Sequence, residues 1–468
     1  MTSITVPKVR DIVEDFASEI RLRKKVGPKP AKAVIDFRAE RRDGIERDIV
    51  YVPIGLLRYR KDNGRISSDV LNYERHKGRL DECSAEAQCL IRGFLEEKDK
   101  EKTDDLLKSI LHDHQREPAI ITCDGFLING NRRKMVMEML LEQHPGDTRF
   151  SDMRVVILPG KGVPGGPPTL LEIEQIENRY QLQSDGKAEY SEFDRALSMR
   201  RKIEIGMSLI AQLRDDSVYA GLTEKGLVRE AHRFEAEFLK PLECIDRYLD
   251  SLNRKELYGS VSRGLGDKEG RWQAFRDYYN FVYVKLQDAH QRVKLSVNED
   301  EIGAIEHAAF TIIRKREIPD MPKAHQIMRD LPKWLTNPES KKALIKLADI
   351  DVEIPRDKMY DSTGVERDER TVDKVWGQLN ATAITRSVKM AKNSFEHQEE
   401  RETPIDLLEG ALRKLNHDDM RPDAINASDI AKAMQLARQI KERAEHLEHK
   451  FYDYQKSQRK LEDRGKRK

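Results

Sequence analysis

Patterns of apolar and polar residues divide the chain into an early mixed region and a long helical region. Runs typical of strands occur at "DIVYVPIGLLRY", "PAIIT" and "MRVVIL", where β-branched and apolar residues lie between turn signals. Asp124-Gly125 turns the chain directly after the second run and predicts a hairpin. From Leu170 onward most apolar residues recur at helical spacing. The pattern predicts an α+β N-terminal domain followed by a mostly α-helical region.

Breaks in these patterns set the expected domain boundaries. The spacer "PGKGVPGGPPT" follows the last strand; it contains GxGxxG spacing, but its prolines prevent the helix start that a dinucleotide site requires, so it is interpreted as a connector. The expected divisions are a helical leader at 1–47, the α+β domain at 48–168, a helix-turn-helix-type domain at 169–255, a further helical domain at 256–360 and a C-terminal helical assembly region at 361–468.

Composition narrows the classes of protein that the chain can belong to. The formal net charge is +2 and 36% of residues are charged, so any nucleic-acid affinity must come from local patches. The four cysteines have no CxxC spacing, which is typical of free thiols in a reducing compartment. No apolar run approaches the ~18 residues that cross a bilayer. We therefore expect a cytoplasmic protein without a membrane partner, associated with the nucleoid if it binds DNA.

The segment "CDGFLINGNRRKMVMEML" places two arginines at the start of a helix. Helix N-termini carry unpaired N–H groups and partial positive charge, so arginines there are poorly placed for stability alone. A bound anion would relieve both problems, and planar guanidinium groups suit phosphate oxygens. Two interpretations stay open, an anion site and a solvated pair of arginines. The residues concerned are Gly130, Asn131, Arg132 and Arg133.

This segment resembles the signature of the ParB/sulfiredoxin-like superfamily, in which a hairpin leads into a Gly-Glu-Arg-Arg helix start. Other segments resemble further parts of that family in the same order: "VPIGLLRYRKDNGRI" its opening strand and loop, "LLKSILHDHQREPAIIT" its next helix and strand, and "LLEIEQIENRYQLQSDGKAEYSEFDRAL" its Glu-Asn motif helix. The resemblance covers residues 48–252. It implies a ParB/sulfiredoxin-like fold for the N-terminal domain and a helix-turn-helix behind it.

The resemblance also implies a nucleotide pocket for a triphosphate, CTP or ATP, with Mg²⁺. Two departures put the nucleotide choice and hydrolysis in doubt, because Asn131 stands where the motif has glutamate and Gln181 where the second motif ends in arginine. An ordinary pair on a helix surface is the alternative for Glu177 and Asn178. The implied residues are Gly130, Asn131, Arg132, Arg133 and Arg65 on the nucleotide side, with Glu177 and Asn178 toward the metal and the triphosphate.

Two short amphipathic helices between Leu222 and Leu249 suggest a helix-turn-helix. Thr223 can cap the first helix, and the second would begin near Lys240-Pro241, since proline is tolerated in a first turn. The outward face mixes both charges, so a plain helical hairpin is the alternative. The candidate DNA contacts are Lys240, Arg247 and Arg233.

The last helix, expected from about Ser428, repeats apolar residues at alternating intervals of four and three, with one position skipped. Such a seam predicts either pairing with a second copy or folding back onto the same chain. The seam residues are Ile440, Ala444, Leu447, Phe451, Tyr454 and Leu461.

Three hypotheses for function follow. The first is a ParB-like DNA-binding protein with a nucleotide pocket, acting in partition or in a mobile-element or antiphage defence system. The second is an NTPase or a nuclease, for which Asp124, Asp152 and Glu177 are the nearby acids. The third is an inactive scaffold that binds other protein subunits, which the long helical extension favours.

Overall fold

A computed structural model describes the chain except for residues 1–7, 28–30, 36, 39–44, 99, 183–190, 217, 220, 262–270, 351–353, 361, 362, 365, 366, 417–419, 423, 424 and 466–468. Contacts divide the chain into two units, residues 1–395 and 396–468. The first unit combines a small sheet with many helices, so the predicted α+β class is confirmed.

The sheet has four strands in the order β1-β2-β4-β3. The β2 strand pairs antiparallel with β1 and β4, whereas β3 and β4 run parallel. Three of the strands overlap the runs predicted above, but β1 lies within the expected helical leader at 1–47, which therefore contributes to the sheet. The strands are β1 (Ala31–Ile35), β2 (Ile45–Pro53), β3 (Ala119–Ile121) and β4 (Asp152–Ile157).

Five helices surround this sheet. The hairpin predicted at Asp124-Gly125 forms, with Thr122 N–H donating to the Phe126 carbonyl at 2.9 Å and Ile128 N–H to Ile120 at 2.9 Å. The hairpin leads into the last of these helices. The buried face of that helix includes Met135, Val136, Met137 and Leu140. The helices are α1 (Glu14–Arg23), α2 (Ser67–Lys77), α3 (Ala85–Glu97), α4 (Lys100–Asp113) and α5 (Asn131–Gln143).

A second core, rich in aromatic side chains, fills the helical remainder of the first unit. Tyr248, Phe275 and Phe310 meet at its centre with ring centroids 5.2–6.1 Å apart. Besides the five helices above, α6 (Leu170–Leu182) also packs on the sheet, where Ile173 and Ile176 join strand residues in a separate core. The remaining helices of this part of the chain are α7 (Glu192–Glu204), α8 (Leu209–Arg214), α9 (Glu224–Phe234), α10 (Lys240–Ser251), α11 (Trp272–Asp277), α12 (Val284–Gln287), α13 (Ala289–Lys294), α14 (Ile302–Lys315), α15 (Ala324–Leu335), α16 (Pro338–Ile345), α17 (Arg356–Met359) and α18 (Glu369–Leu379).

The predicted turn between the two helices of the expected helix-turn-helix is wrong. Thr223 does cap α9, where its Oγ1 accepts from Gly226 N–H at 3.3 Å. However, α9 and α10 are joined by a π-helical segment, Glu235–Leu239, and form one continuous helix. A π segment widens the helix and tolerates irregular hydrogen bonding, so Pro241 needs no turn before it.

The C-terminal part of the chain consists of two long helices. They are α19 (Ala381–Leu415) and α20 (Ile430–Gly465), and the second begins close to the predicted Ser428. In the part of the chain that the structure describes, no helix has the length and apolar character needed to span a membrane.

Candidate functional site

A cavity of about 370 Å³ lies at the N-terminus of α5. Its wall combines the start of α5 with the residues that lead into it, one face of α4 with the loop after it, the turn at 63–65 and one residue of α6. Five predicted site residues line this cavity, four of them contiguous at 130–133 and the fifth, Arg65, from a distant turn. The lining comprises Asn63, Arg65, Lys102, Leu106, Ser109, Ile110, His114, Gln115, Arg116, Glu117, Asn129, Gly130, Asn131, Arg132, Arg133 and Tyr180.

Gly130 fixes the shape of the cavity floor. Its φ is +83°, in the left-handed region that favours glycine. A β-carbon at this position would lie 2.9 Å from the β-carbon of Ala119, so a side chain does not fit. Gly130 is the N-cap of α5 and has no side chain to cap the first turn, which leaves helix-start N–H groups and the positive end of the dipole on the cavity side.

Positive charge dominates the lining. Five of the described lining residues are arginine or lysine, and one, Glu117, carries a carboxylate. Arg116 pairs with Asp113 at 2.6 Å, and Arg133 donates to the backbone carbonyl of Glu117. Burial lowers the pKa of Arg133, so holding this charge costs free energy. A negatively charged ligand would offset that cost.

Three asparagines define the polar geometry around the cavity. Asn129 Oδ1 accepts from Ile120 N–H at 2.6 Å, and Asn63 Oδ1 accepts from Arg65 N–H at 3.0 Å, so both hold the backbone. Asn131 is only 7% exposed, yet no partner among the described residues reaches its Oδ1. A buried acceptor without a donor is costly. A ligand that brings hydroxyl or amino groups could satisfy it.

Known families, curated proteins and solved structures were compared with the chain, and none matches. The likeness to the ParB/sulfiredoxin-like superfamily therefore stays a resemblance carried by the motifs quoted above. The geometry of the site has to carry the functional argument.

Glu177 and Asn178 lie beneath the cavity wall instead of lining it. They are 2% and 4% exposed, so the alternative of a surface pair is wrong. Glu177 pairs with buried Arg60 and accepts from Gly64 N–H at 3.2 Å. Asn178 accepts from Lys202 Nζ at 2.9 Å. These contacts support the turn that carries Arg65; the implied metal role stays a prediction.

Asp124 and Asp152, considered above for a nuclease, serve as structural partners. Asp124 is fully buried and binds Arg10 at 2.8 Å and Val13 N–H at 3.0 Å, which attaches the N-terminal segment to the hairpin. Asp152 pairs with Lys25 at 3.0 Å. Among the residues that the structure describes, no group of three or more His, Cys, Asp or Glu side chains could hold a metal ion.

The three candidate DNA contacts on the continuous helix are each ion-paired. Arg233 binds Glu230 at 2.8 Å, and Lys240 binds Glu243 at 2.9 Å. Arg247 binds Glu306 at 3.3 Å. These carboxylates compensate the charges that would attract phosphates. DNA binding stays a prediction, and this helix does not provide a groove-reading turn for it.

Sequence reasoning missed the contribution of α4 and, on α6, that of Tyr180. Lys102, Leu106 and Ile110 share one face of α4 at intervals of four, and this face forms a wall of the cavity. Tyr180 reaches the same cavity from α6. The spacing on α4 was a readable signal, but nothing in the sequence indicated which partner that face meets.

Proposed function

We propose that the cavity at the start of α5 binds a nucleotide, with its phosphates against Arg65, Arg132 and Arg133. The observation that carries this proposal is the excess of cationic lining residues around a helix N-terminus. Helix N-termini and arginine forks are both complementary to phosphate oxygens. A volume of about 370 Å³ lies within the usual range for small-molecule pockets.

Features outside the phosphate end support a nucleotide over inorganic phosphate. Leu106 and Ile110 make one wall apolar, and Tyr180 adds an aromatic ring. The buried Asn131 Oδ1 requires a donor, which a ribose hydroxyl or a base amino group supplies, whereas the ionised oxygens of a phosphate only accept. CTP and ATP both carry phosphates for the arginines, a base for the apolar and aromatic wall, and hydroxyl and amino donors for Asn131. The proposal includes no resident Mg²⁺, because Glu117 is the one carboxylate among the described lining residues.

Replacing Arg132 with alanine should weaken nucleotide binding by about 1.5–3 kcal/mol, the range for a hydrogen bond to a charged group. Arg65→Ala should weaken binding to a similar extent, because this arginine reaches the cavity from a separate turn. Titration calorimetry with ATP and with CTP measures both effects. Because the two variants lie on different elements, local misfolding of one variant would not explain a loss of affinity in both.

Arg149→Ala is the matched control, since Arg149 is an exposed arginine that pairs with Asp147 outside the cavity. Its affinity should equal that of the wild type. Equal affinity for wild type, Arg65→Ala and Arg132→Ala would contradict the assignment of phosphates to this cavity.

A further inference from the structure

The long C-terminal helix α20 carries a continuous heptad seam. From its first residue, small and apolar side chains occupy every position at alternating intervals of three and four as far as Tyr454. Seams sustained over three to four heptads are typical of coiled coils. The seam consists of Ile430, Ala433, Ala437, Ile440, Ala444, Leu447, Phe451 and Tyr454.

This seam is uncovered. Ile440 and Phe451 are each 46% exposed and Tyr454 is 66% exposed, values unlike those of core residues. The helix has 36 residues and is therefore about 54 Å long. A helix gains most of its stability from packing of its apolar face, so an arrangement that covers the whole seam is favoured.

We infer that α20 pairs in parallel with α20 of a second copy of this chain. In a parallel pair, each residue flanking the seam on one side faces the residue five positions later in the other copy. Arg443 then faces Glu448 of the second copy, and Lys450 faces Gln455. An antiparallel pair with the seams from Ile430 to Tyr454 overlapped would bring Arg443 against Arg443 of the second copy. Charge complementarity therefore favours the parallel pair.

The competing occupant is the end of α19 in the same chain. Ile405, Leu408, Leu412 and Leu415 also recur at intervals of three and four and are exposed. This stretch covers about three turns, whereas the α20 seam runs from Ile430 to Tyr454. Folding back would leave more than half of the seam in water, while a second copy covers all of it.

Light scattering of the full chain tests the pairing. The chain mass is 54.3 kDa, so we expect twice this mass at micromolar concentration. Phe451→Glu should yield the monomer mass, because it places charge in the seam. Tyr452→Glu is the matched control: Tyr452 is 62% exposed and lies off the seam, so this variant should stay dimeric. A monomeric wild type, or a dimeric Phe451→Glu variant, would overturn the inference.

Charge reversal tests the orientation. Arg443→Glu should raise the dimer dissociation constant roughly tenfold, because it replaces two attractive contacts per dimer with two repulsive ones. Adding Glu448→Arg should restore the wild-type constant. Sedimentation equilibrium measures all three proteins. An unchanged or tighter Arg443→Glu dimer, or a double variant as weak as the single one, would overturn the parallel arrangement.

Discussion

Replacing Asp373 with asparagine should lower the free energy of unfolding of the helical core by about 3–5 kcal/mol, the usual cost of removing one partner from a buried ion pair. The Asp373 carboxylate is 2% exposed and binds three arginines. Arg254 and Arg314 approach Oδ1 at 2.9 Å each, and Arg271 approaches Oδ2 at 2.7 Å. The asparagine leaves these guanidinium charges buried without their shared carboxylate.

Tryptophan fluorescence during guanidinium unfolding reports this change directly, because Trp272, Trp334 and Trp376 all belong to the helical core. Asp320→Asn is the control, since Asp320 pairs with Lys389 but is 83% exposed. It should leave the unfolding transition close to that of the wild type, because an exposed ion pair contributes little to stability. Similar losses for the two variants would contradict the structural role given to Asp373.

The same carboxylate makes stability depend on acid pH. Burial by itself would raise the pKa of Asp373, but the three arginines outweigh burial and lower the pKa below its ordinary value. The contribution is therefore fully present above the unfolded pKa of about 3.9. It is lost as the pH falls through the folded pKa. Asp373→Asn should lose less stability over this acid range than the wild type.

Glu177→Gln should destabilise the first unit by about 3 kcal/mol in the absence of any ligand or metal. Glu177 binds Arg60, whose side chain is 4% exposed. Burial by itself would lower the pKa of Arg60, but Glu177 and Glu174 raise it above its ordinary value, so Arg60 is charged and needs its partners. Glutamine keeps the shape of the side chain and removes the charge. Scanning calorimetry of the apo protein measures the loss.

Glu172→Gln, on the same helix, is the comparison for this substitution. Glu172 pairs with Arg38 at 2.7 Å, but its side chain is 23% exposed. Its replacement should cost about 1 kcal/mol or less. If Glu177 instead acted only as a metal ligand, Glu177→Gln would leave apo stability unchanged and would alter only the effect of Mg²⁺, which would contradict the positioning role.

Local signals predicted the parts of the fold that depend on neighbouring residues. The Asp124-Gly125 hairpin, the β4 run and the start of α5 behind Gly130 each follow from short-range chemistry. The β1 strand could not be predicted from the sequence. It has only five residues, 31–35, includes a lysine and joins the sheet by pairing with β2. Strand formation there depends on the partner strand.

At the continuous α9–α10 helix, by contrast, a local signal was present but the structure does not follow it. Lys240-Pro241 has the chemistry of a helix start, and proline in a first turn is favourable. The structure continues the helix instead through the π segment, where Lys240 N–H bonds to the Glu235 carbonyl five residues back. Local propensity could not distinguish these outcomes, because packing of Phe234, Phe238 and Leu242 in the helical core accompanies the continuous form.

The part of the site that could be predicted is the part whose residues are contiguous in the sequence. Gly130, Arg132 and Arg133 are contiguous and share a readable mechanism. Lys102 and Tyr180 come from helices whose position around the cavity is a product of the tertiary fold. Glu177 was recognised as important, but the sequence could not reveal that Arg60 would bind it in the interior.

Hydrogen exchange of the full chain with and without ATP or CTP tests the nucleotide proposal most directly. The helix-start amides at 130–133 and the turn at 63–65 bound the cavity, so ligand phosphates should slow exchange there. Exchange in α20 should not change. Inorganic triphosphate should protect the same amides more weakly, because it lacks the ribose and base that would contact Asn131, Leu106 and Tyr180. Saturating nucleotide that leaves 130–133 unprotected would contradict the proposed function.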